Sequence, residues 1–302
     1  MSKTFRICEV GPRDGFQSIK CALISTEQKL EVIDRLMQAG VTCMEFTSFV
    51  SPKAIPQMAD AADVTRAVLA KYPDADLFAL VPNLRGAANA YDLGLRKVCY
   101  VVSLSASHNK ANINRTHEQS LEAYKEIRAT YPDLEVVLDL ATTFGCPFEG
   151  KFSDPEKVVN FLKDYVDAGL KSVCLCDTIG IADPAQVKAV IEAVKAAYPE
   201  MEIAVHFHDT RGLGMVNTLT AIEAGVEEIQ AALGGLGGCP FAPGASGNLS
   251  TEDAVWMLNE MGFDTGISFS KILAAAKLEK EIIDGNYSGH HINIAEETAC
   301  RV

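Results

Sequence analysis

Thr26-Glu-Gln-Lys-Leu-Glu-Val-Ile-Asp-Arg-Leu-Met-Gln-Ala-Gly40-Val-Thr-Cys-Met-Glu-Phe46 is the stretch that decides the fold. Leu30, Ile33, Leu36 and Met37 recur at helical spacing over Thr26–Gln38, and Thr42–Phe46 is a short apolar run that reads as a strand. Ser25-Thr26-Glu27-Gln28 offers an N-cap, and Ala39-Gly40 supplies the left-handed stop between helix and strand. The unit is therefore helix, glycine, strand.

Working outward, the same order recurs along the chain. Strand candidates are Phe5–Val10, Thr42–Phe46, Asp76–Val81, Lys97–Ser103, Glu135–Leu140, Ser172–Cys176, Ile203–His206 and Glu228–Leu233. Amphipathic stretches separate them, among them Pro56–Lys71, Thr116–Tyr131, Asp154–Asp167 and Pro184–Tyr198. Asp154-Pro155 and Asp183-Pro184 place Pro at a helix start, and Ala168-Gly169 and Ala224-Gly225 repeat the glycine stop. Eight such units with no strand left over predict a closed (β/α)8 TIM barrel, an α/β fold, and no G-x-G-x-x-G follows the first strand to favour an open dinucleotide sheet. Ser268–Ile283 reads as one more helix before a polar tail. The expectation is a single TIM-barrel domain over residues 1–302, with 268–302 as C-terminal helix and tail.

Composition narrows the function. The 302 residues carry a formal charge of −13, which disfavours a nucleic-acid partner needing a basic face. Apolar runs are strand-length, so no membrane span is expected, and the N-terminus carries neither signal nor transit pattern. Nine scattered cysteines without framework spacing read as free thiols of a reducing compartment, so the cytoplasm is expected. Cys174-Leu-Cys176 offers a thiol pair, but no second close pair accompanies it to complete a structural zinc site. His290-His291 falls in the polar tail and is expected to be solvated.

A TIM barrel builds its site at the C-terminal ends of its strands. Those ends carry Arg13 and Asp14 in a Gly-Pro-Arg-Asp-Gly turn, Glu45 and Ser48, Asn83, Asp177, and His206-Phe-His208. Residues i and i+2 of a strand point to one side, so the two imidazoles converge. Asp14 comes from the strand that closes next to the last two, and Asn248 offers an amide oxygen. Together they suit Mg2+, Mn2+ or a similar cation; the alternative is two histidines satisfied by ordinary hydrogen bonds. Arg13 suits an enolate or carboxylate oxygen, or else an ion pair with Glu9 or Asp177. Glu45 and Asp177 either orient Arg13, move protons, or serve as structural partners. The glycine-rich run Gly234–Asn248 reads as a lid, and Cys239 is its only proton-transferring side chain.

On these residues the chain resembles the 3-hydroxy-3-methylglutaryl-CoA lyase family of DRE-TIM metallolyases. The resemblance rests on Glu9-Val-Gly-Pro-Arg-Asp-Gly-Phe-Gln17, Glu45-Phe-Thr-Ser-Phe-Val-Ser-Pro-Lys53, Gly145–Lys151, Asp177-Thr-Ile-Gly180, Val205-His-Phe-His-Asp-Thr210 and Gly234–Asp253. It implies a metal held by Asp14, His206, His208 and Asn248, enolate stabilisation by Arg13, and Cys239 as catalytic acid. Glu45 and Asp177 would support proton transfer; Lys20 would hold the CoA moiety; Gln17, Ser48 and Asn83 would join Arg13 in contacting substrate. The implied reaction is retro-Claisen cleavage to acetyl-CoA and acetoacetate by a homo-oligomer, a dimer or higher.

The chain departs from the family pattern at Phe16, Ser18-Ile19, Cys174-Leu-Cys176, His108-Asn109 and Ala141-Thr-Thr-Phe144. A related branched 3-hydroxyacyl-CoA such as citramalyl-CoA is one alternative substrate. A Claisen-condensing synthase of the isopropylmalate or citramalate type is another reading, and a catalytically silent metal-binding scaffold a third.

Overall fold

A computed structural model describes residues 3–238 and 247–294. Eight strands form the barrel: β1 (Arg6–Glu9), β2 (Cys43–Ser48), β3 (Asp76–Val81), β4 (Lys97–Ser103), β5 (Glu135–Ala141), β6 (Ser172–Asp177), β7 (Glu202–Phe207) and β8 (Glu228–Ala231). They close in the order β7-β8-β1-β2-β3-β4-β5-β6, every neighbouring pair parallel. The barrel expected from the alternating pattern is present.

Among the described residues ten α-helices surround it: α1 (Thr26–Ala39), α2 (Ala61–Lys71), α3 (Leu84–Asp92), α4 (Ala106–Ile113), α5 (His117–Thr130), α6 (Glu156–Asp167), α7 (Pro184–Ala197), α8 (Gly214–Glu223), α9 (Thr251–Glu260) and α10 (Phe269–Ile282). The start of α1 is a full capping box, with Ser25 accepting from Gln28 N and Gln28 from Ser25 N. Its end is Gly40, at φ 104° with its α-carbon against the Gly266 carbonyl, where a side chain has neither the dihedral nor the room. Pro56–Lys71 is not one helix: Pro56–Met58 is a 3-10 turn, and α2 begins only at Ala61.

Alternation sorts each strand into two faces. Val173, Leu175, Val205, Phe207, Ile229 and Ala231 join the large apolar layer between strands and helices. The opposite faces form two separate clusters inside the barrel, one holding Cys8, Cys43 and Cys99, the other Cys174, Cys176 and Ala204. Small, soft thiols thus fill positions where branched aliphatics are usual. The β2–β3 register slips by one residue between Glu45 and Thr47, a bulge of the kind that re-aims side chains near active sites.

The C-terminal helix packs on the first: Gln28 Nε2 donates to the Ile282 carbonyl at 2.6 Å. The segment after it is anchored: the His290 side chain is exposed, as expected, whereas that of His291 is mostly covered. Both His290 and His291 bond to the Asp253 carboxylate through backbone N–H and ring, and His291 lies 5.2 Å from the rings of Trp256 and Phe269. No described helix is long and apolar enough to cross a membrane.

Candidate active site

Strand β1 ends in a single tight helical turn, Gly11–Gly15, in which Asp14 N donates to Val10 O at 2.7 Å. That turn holds Arg13 inward, 5% exposed. Its Nη1 reaches Asp14 Oδ1 at 2.5 Å, and its Nη2 reaches Glu45 Oε2 at 2.6 Å. The pairing with Glu9 or Asp177 considered above does not form. Burial resists the charge on Arg13, but Glu45 and Asp14 overcome that and hold it protonated. Burial pushes the Glu45 carboxyl up, to about 7, against the pull of Arg13.

The two imidazoles stand side by side, ring centroids 5.1 Å apart, at the end of β7. One ligand atom from each, with an oxygen of Asp14, lies within 4.8 Å of the others. His206 Nδ1 donates to Gln230 Oε1 at 3.0 Å, which leaves Nε2 with its lone pair. Asn248 is carried opposite His208 by an isolated antiparallel bridge. Its amide Nδ2 donates to Asp14 Oδ2 at 2.8 Å and to Leu236 O at 3.0 Å.

This donor set fits a divalent cation. Asn248 Oδ1 and His208 Nδ1 are buried and have no hydrogen-bond partner among the described residues, which is costly unless something else binds them. Burial and the neighbouring imidazole push His208 down to about 4, so it is neutral and free to ligate. Burial opposes the Asp14 charge, yet Arg13, the imidazoles and the Asn248 amide hold its carboxyl well below the usual range. Carboxylate, two imidazoles and an amide oxygen suit Mg2+, Mn2+ and similar ions.

Two further residues build the site: Gln230, which had no expected role, and Glu9, expected only as an alternative ion-pair partner of Arg13. Gln230 fixes the His206 ring; its signal was a polar side chain inside the buried strand Glu-Ile-Gln-Ala. Glu9 is fully buried, and its Oε1 accepts from Gly11 N at 2.7 Å and Leu233 N at 2.9 Å, while Oε2 accepts from Thr251 Oγ1 at 2.7 Å. One carboxyl thereby ties the Arg13–Asp14 turn to the loop after β8.

The remaining candidates divide. Gln17 joins the centre, donating to Asp14 Oδ1 at 3.1 Å, and Ser48 is buried at the end of β2 with its hydroxyl without a partner. Asp177 instead accepts from Ile181 N at 2.9 Å and Ala182 N at 3.0 Å, holding the loop after β6 in shape. Asn83 caps α3 through Gly86 N. Lys20 is exposed beyond the first turn. Cys239 lies outside the described residues. His108 binds Ser103 Oγ at 2.7 Å and serves the β4–α4 connection.

Comparison with known proteins supplies the family. A family model described as HMGL-like matches residues 4–278. The hydroxymethylglutaryl-CoA lyase YngG of Bacillus subtilis (strain 168) is 42% identical over 281 residues, covering 92% of this chain and 93% of its own. The mitochondrial hydroxymethylglutaryl-CoA lyase of Homo sapiens is 40% identical over 277 residues, 91% and 84% of the two chains. An HMG-CoA lyase of Acinetobacter baumannii, solved with coenzyme A and 3-methylmalate, superposes with a TM-score of 0.90 at 38% identity, over 98% of this chain and 96% of that one. Fold and sequence agree over most of the chain, and the chain belongs to the HMGL-like family.

Proposed function

We propose that this chain is a carbon–carbon lyase that cleaves 3-hydroxy-3-methylglutaryl-CoA to acetyl-CoA and acetoacetate, with Mg2+ or Mn2+ held by Asp14, His206, His208 and Asn248. The observation that carries this reading is the meeting of those side chains beside a buried Arg13–Glu45 pair at the barrel mouth. The bound cation supplies Lewis acidity at the substrate's tertiary hydroxyl. Glu45 accepts the hydroxyl proton: its Oε1 has no partner, and a carboxyl pushed up to about 7 is matched to a base at neutral pH.

As the carbon–carbon bond breaks, its electron pair passes into the thioester to give an enolate. Arg13, permanently charged and held in a dry site, stabilises that oxygen; its Nε–H is buried and otherwise unused. Cys239 returns a proton to the enolate carbon, releasing acetyl-CoA. Asp177 acts as a positioning residue for the loop it caps. Gln17, Ser48 and Asn83 border the acyl group, and Lys20 meets the CoA phosphates.

Residues 1–302 act as one TIM-barrel lyase domain, with 268–302 as its C-terminal helix and tail, in a cytoplasmic homo-oligomer. The seven described cysteines form no disulfide, in keeping with a reducing compartment. The test is a panel of 3-hydroxyacyl-CoA thioesters assayed for acetyl-CoA release with Mg2+ or Mn2+ present. Release from the 3-hydroxy-3-methylglutaryl thioester is expected to dominate. Preference for citramalyl-CoA, or no cleavage of any thioester, overturns the assignment.

A further inference from the structure

Below the metal centre the barrel holds a second set of ligating groups that the lyase chemistry does not use. Cys174 and Cys176 both face inward from β6, and their sulfurs lie 3.9 Å apart. Asp139 on β5 is the register partner of Cys174, and one of its oxygens lies within 4.8 Å of both sulfurs. Two sulfurs each about 2.3 Å from one tetrahedral Zn2+ stand about 3.8 Å apart, so the observed spacing needs almost no adjustment.

Asp139 supplies an independent observation. It is 4% exposed; the Cys99 thiol bonds its carboxyl, but its Oδ1 has no hydrogen-bond partner among the described residues. A carboxyl this deep with one unsatisfied oxygen costs folding energy unless a cation or proton meets it. Ordinary core packing accounts for buried thiols; it does not account for a carboxyl with an unsatisfied oxygen placed against them. Access runs through the barrel mouth, because Cys176 is the register partner of His206 and keeps slight exposure.

We propose that Cys174, Cys176 and Asp139 form a second cation site, selective for thiophilic divalent ions of the Zn2+ class, stacked beneath the catalytic centre. Two thiols lose their protons to bulk water as the cation binds, giving a Cys2Asp set with one coordination position left for water. Hard Mg2+ prefers oxygen and keeps much of its own water, so it does not compete there. Cys99 and Glu45 flank Asp139 on its other side and form a neighbouring group with it.

The experiment uses the full chain with Mg2+ in excess, titrated with Cd2+ as probe, following the sulfur-to-cadmium charge-transfer absorption. One equivalent of Cd2+ is expected to saturate the band. Cys174→Ser and Cys176→Ser each weaken it at least about tenfold, while Asp139→Asn leaves the band but shifts the titration to higher Cd2+ by a similar factor. Cys8→Ser/Cys43→Ser leaves it unchanged. A band that survives in Cys174→Ser/Cys176→Ser, or that is lost only with Cys8, Cys43 or Cys239, overturns the proposal, as does the absence of any band. Thermal melts of each variant guard against misfolding; if the serine variants unfold, an Asp139→Asn titration identical to the parent's is also fatal.

Discussion

Glu45 meets Arg13 at 2.6 Å through one carboxylate oxygen and leaves the other without a hydrogen-bond partner among the described residues, both side chains being buried. In the reaction proposed above the pair serves as both clamp and proton acceptor: Glu45 fixes the guanidinium through one oxygen and keeps the other available.

Arg13→Met is expected to lower kcat by about 10²–10³-fold or more, the cost of losing a preorganised donor to a developing oxyanion. KM should change much less, because the contact strengthens mainly in the transition state. Steady-state kinetics with the preferred thioester check this, and a variant with unchanged kcat removes Arg13 from the chemistry.

The pH profile should report Glu45. A base works only when ionised, so with its carboxyl pushed up to about 7 by burial, kcat/KM should fall as pH drops through that value. Glu45→Gln should lower activity sharply and leave its residue without that acid limb. An unchanged limb in the variant assigns the titration elsewhere.

Chelation should abolish turnover, and adding back Mg2+ or Mn2+ should restore it. Gln230→Leu frees the His206 ring from its partner and is expected to weaken metal affinity by about 10–100-fold. Isothermal titration with Mn2+ reads this directly. Cys239→Ser, by contrast, should leave Mn2+ affinity intact while lowering turnover; full activity in that variant ends its assignment as acid.

Glu279 on α10 is fully buried, with neither carboxylate oxygen hydrogen-bonded among the described residues, near Glu9 and Glu252. Burial raises all three, Glu252 from 4.5 to about 8. Each folded carboxyl keeps a proton that the unfolded chain releases, so stability should fall as pH rises from about 4.5 through 8. Glu279→Leu removes one such group and should raise Tm by a few degrees at the alkaline end. A Tm that climbs with pH over that window, or a destabilised leucine variant, contradicts this account.

Much of this was legible in the sequence, for identifiable reasons. Short apolar runs alternating with amphipathic stretches, with glycine stops between helix and strand at Gly40, Gly169 and Gly225, located all eight strands, and Asp76–Val81 and Lys97–Ser103 agree to the residue. The four metal-binding candidates were visible because a barrel puts strand ends in one mouth. What stayed hidden depends on three-dimensional pairing. Nothing local shows that Asp177 spends both oxygens on backbone N–H groups, or that Asn83 spends its side-chain oxygen capping α3. Helix α3, Leu-Arg-Gly-Ala-Ala-Asn-Ala-Tyr-Asp, was not among the stretches read from the sequence, although it is amphipathic and buries Gly86, Ala87 and Ala90. His291 read as tail because its partners Asp253, Trp256 and Phe269 come from α9 and α10.

The anchoring of Glu9 has a bearing on how the enzyme comes into being. Its carboxyl joins Gly11 near the start of the chain to Leu233 and Thr251 near the end, and Asp14 waits for Asn248, 234 residues downstream. During synthesis the ribosome delivers the first half of this centre long before the second. A nascent chain halted before Asn248 therefore lacks both the Glu9–Thr251 tie and the last of the four proposed ligands, so the centre is completed late.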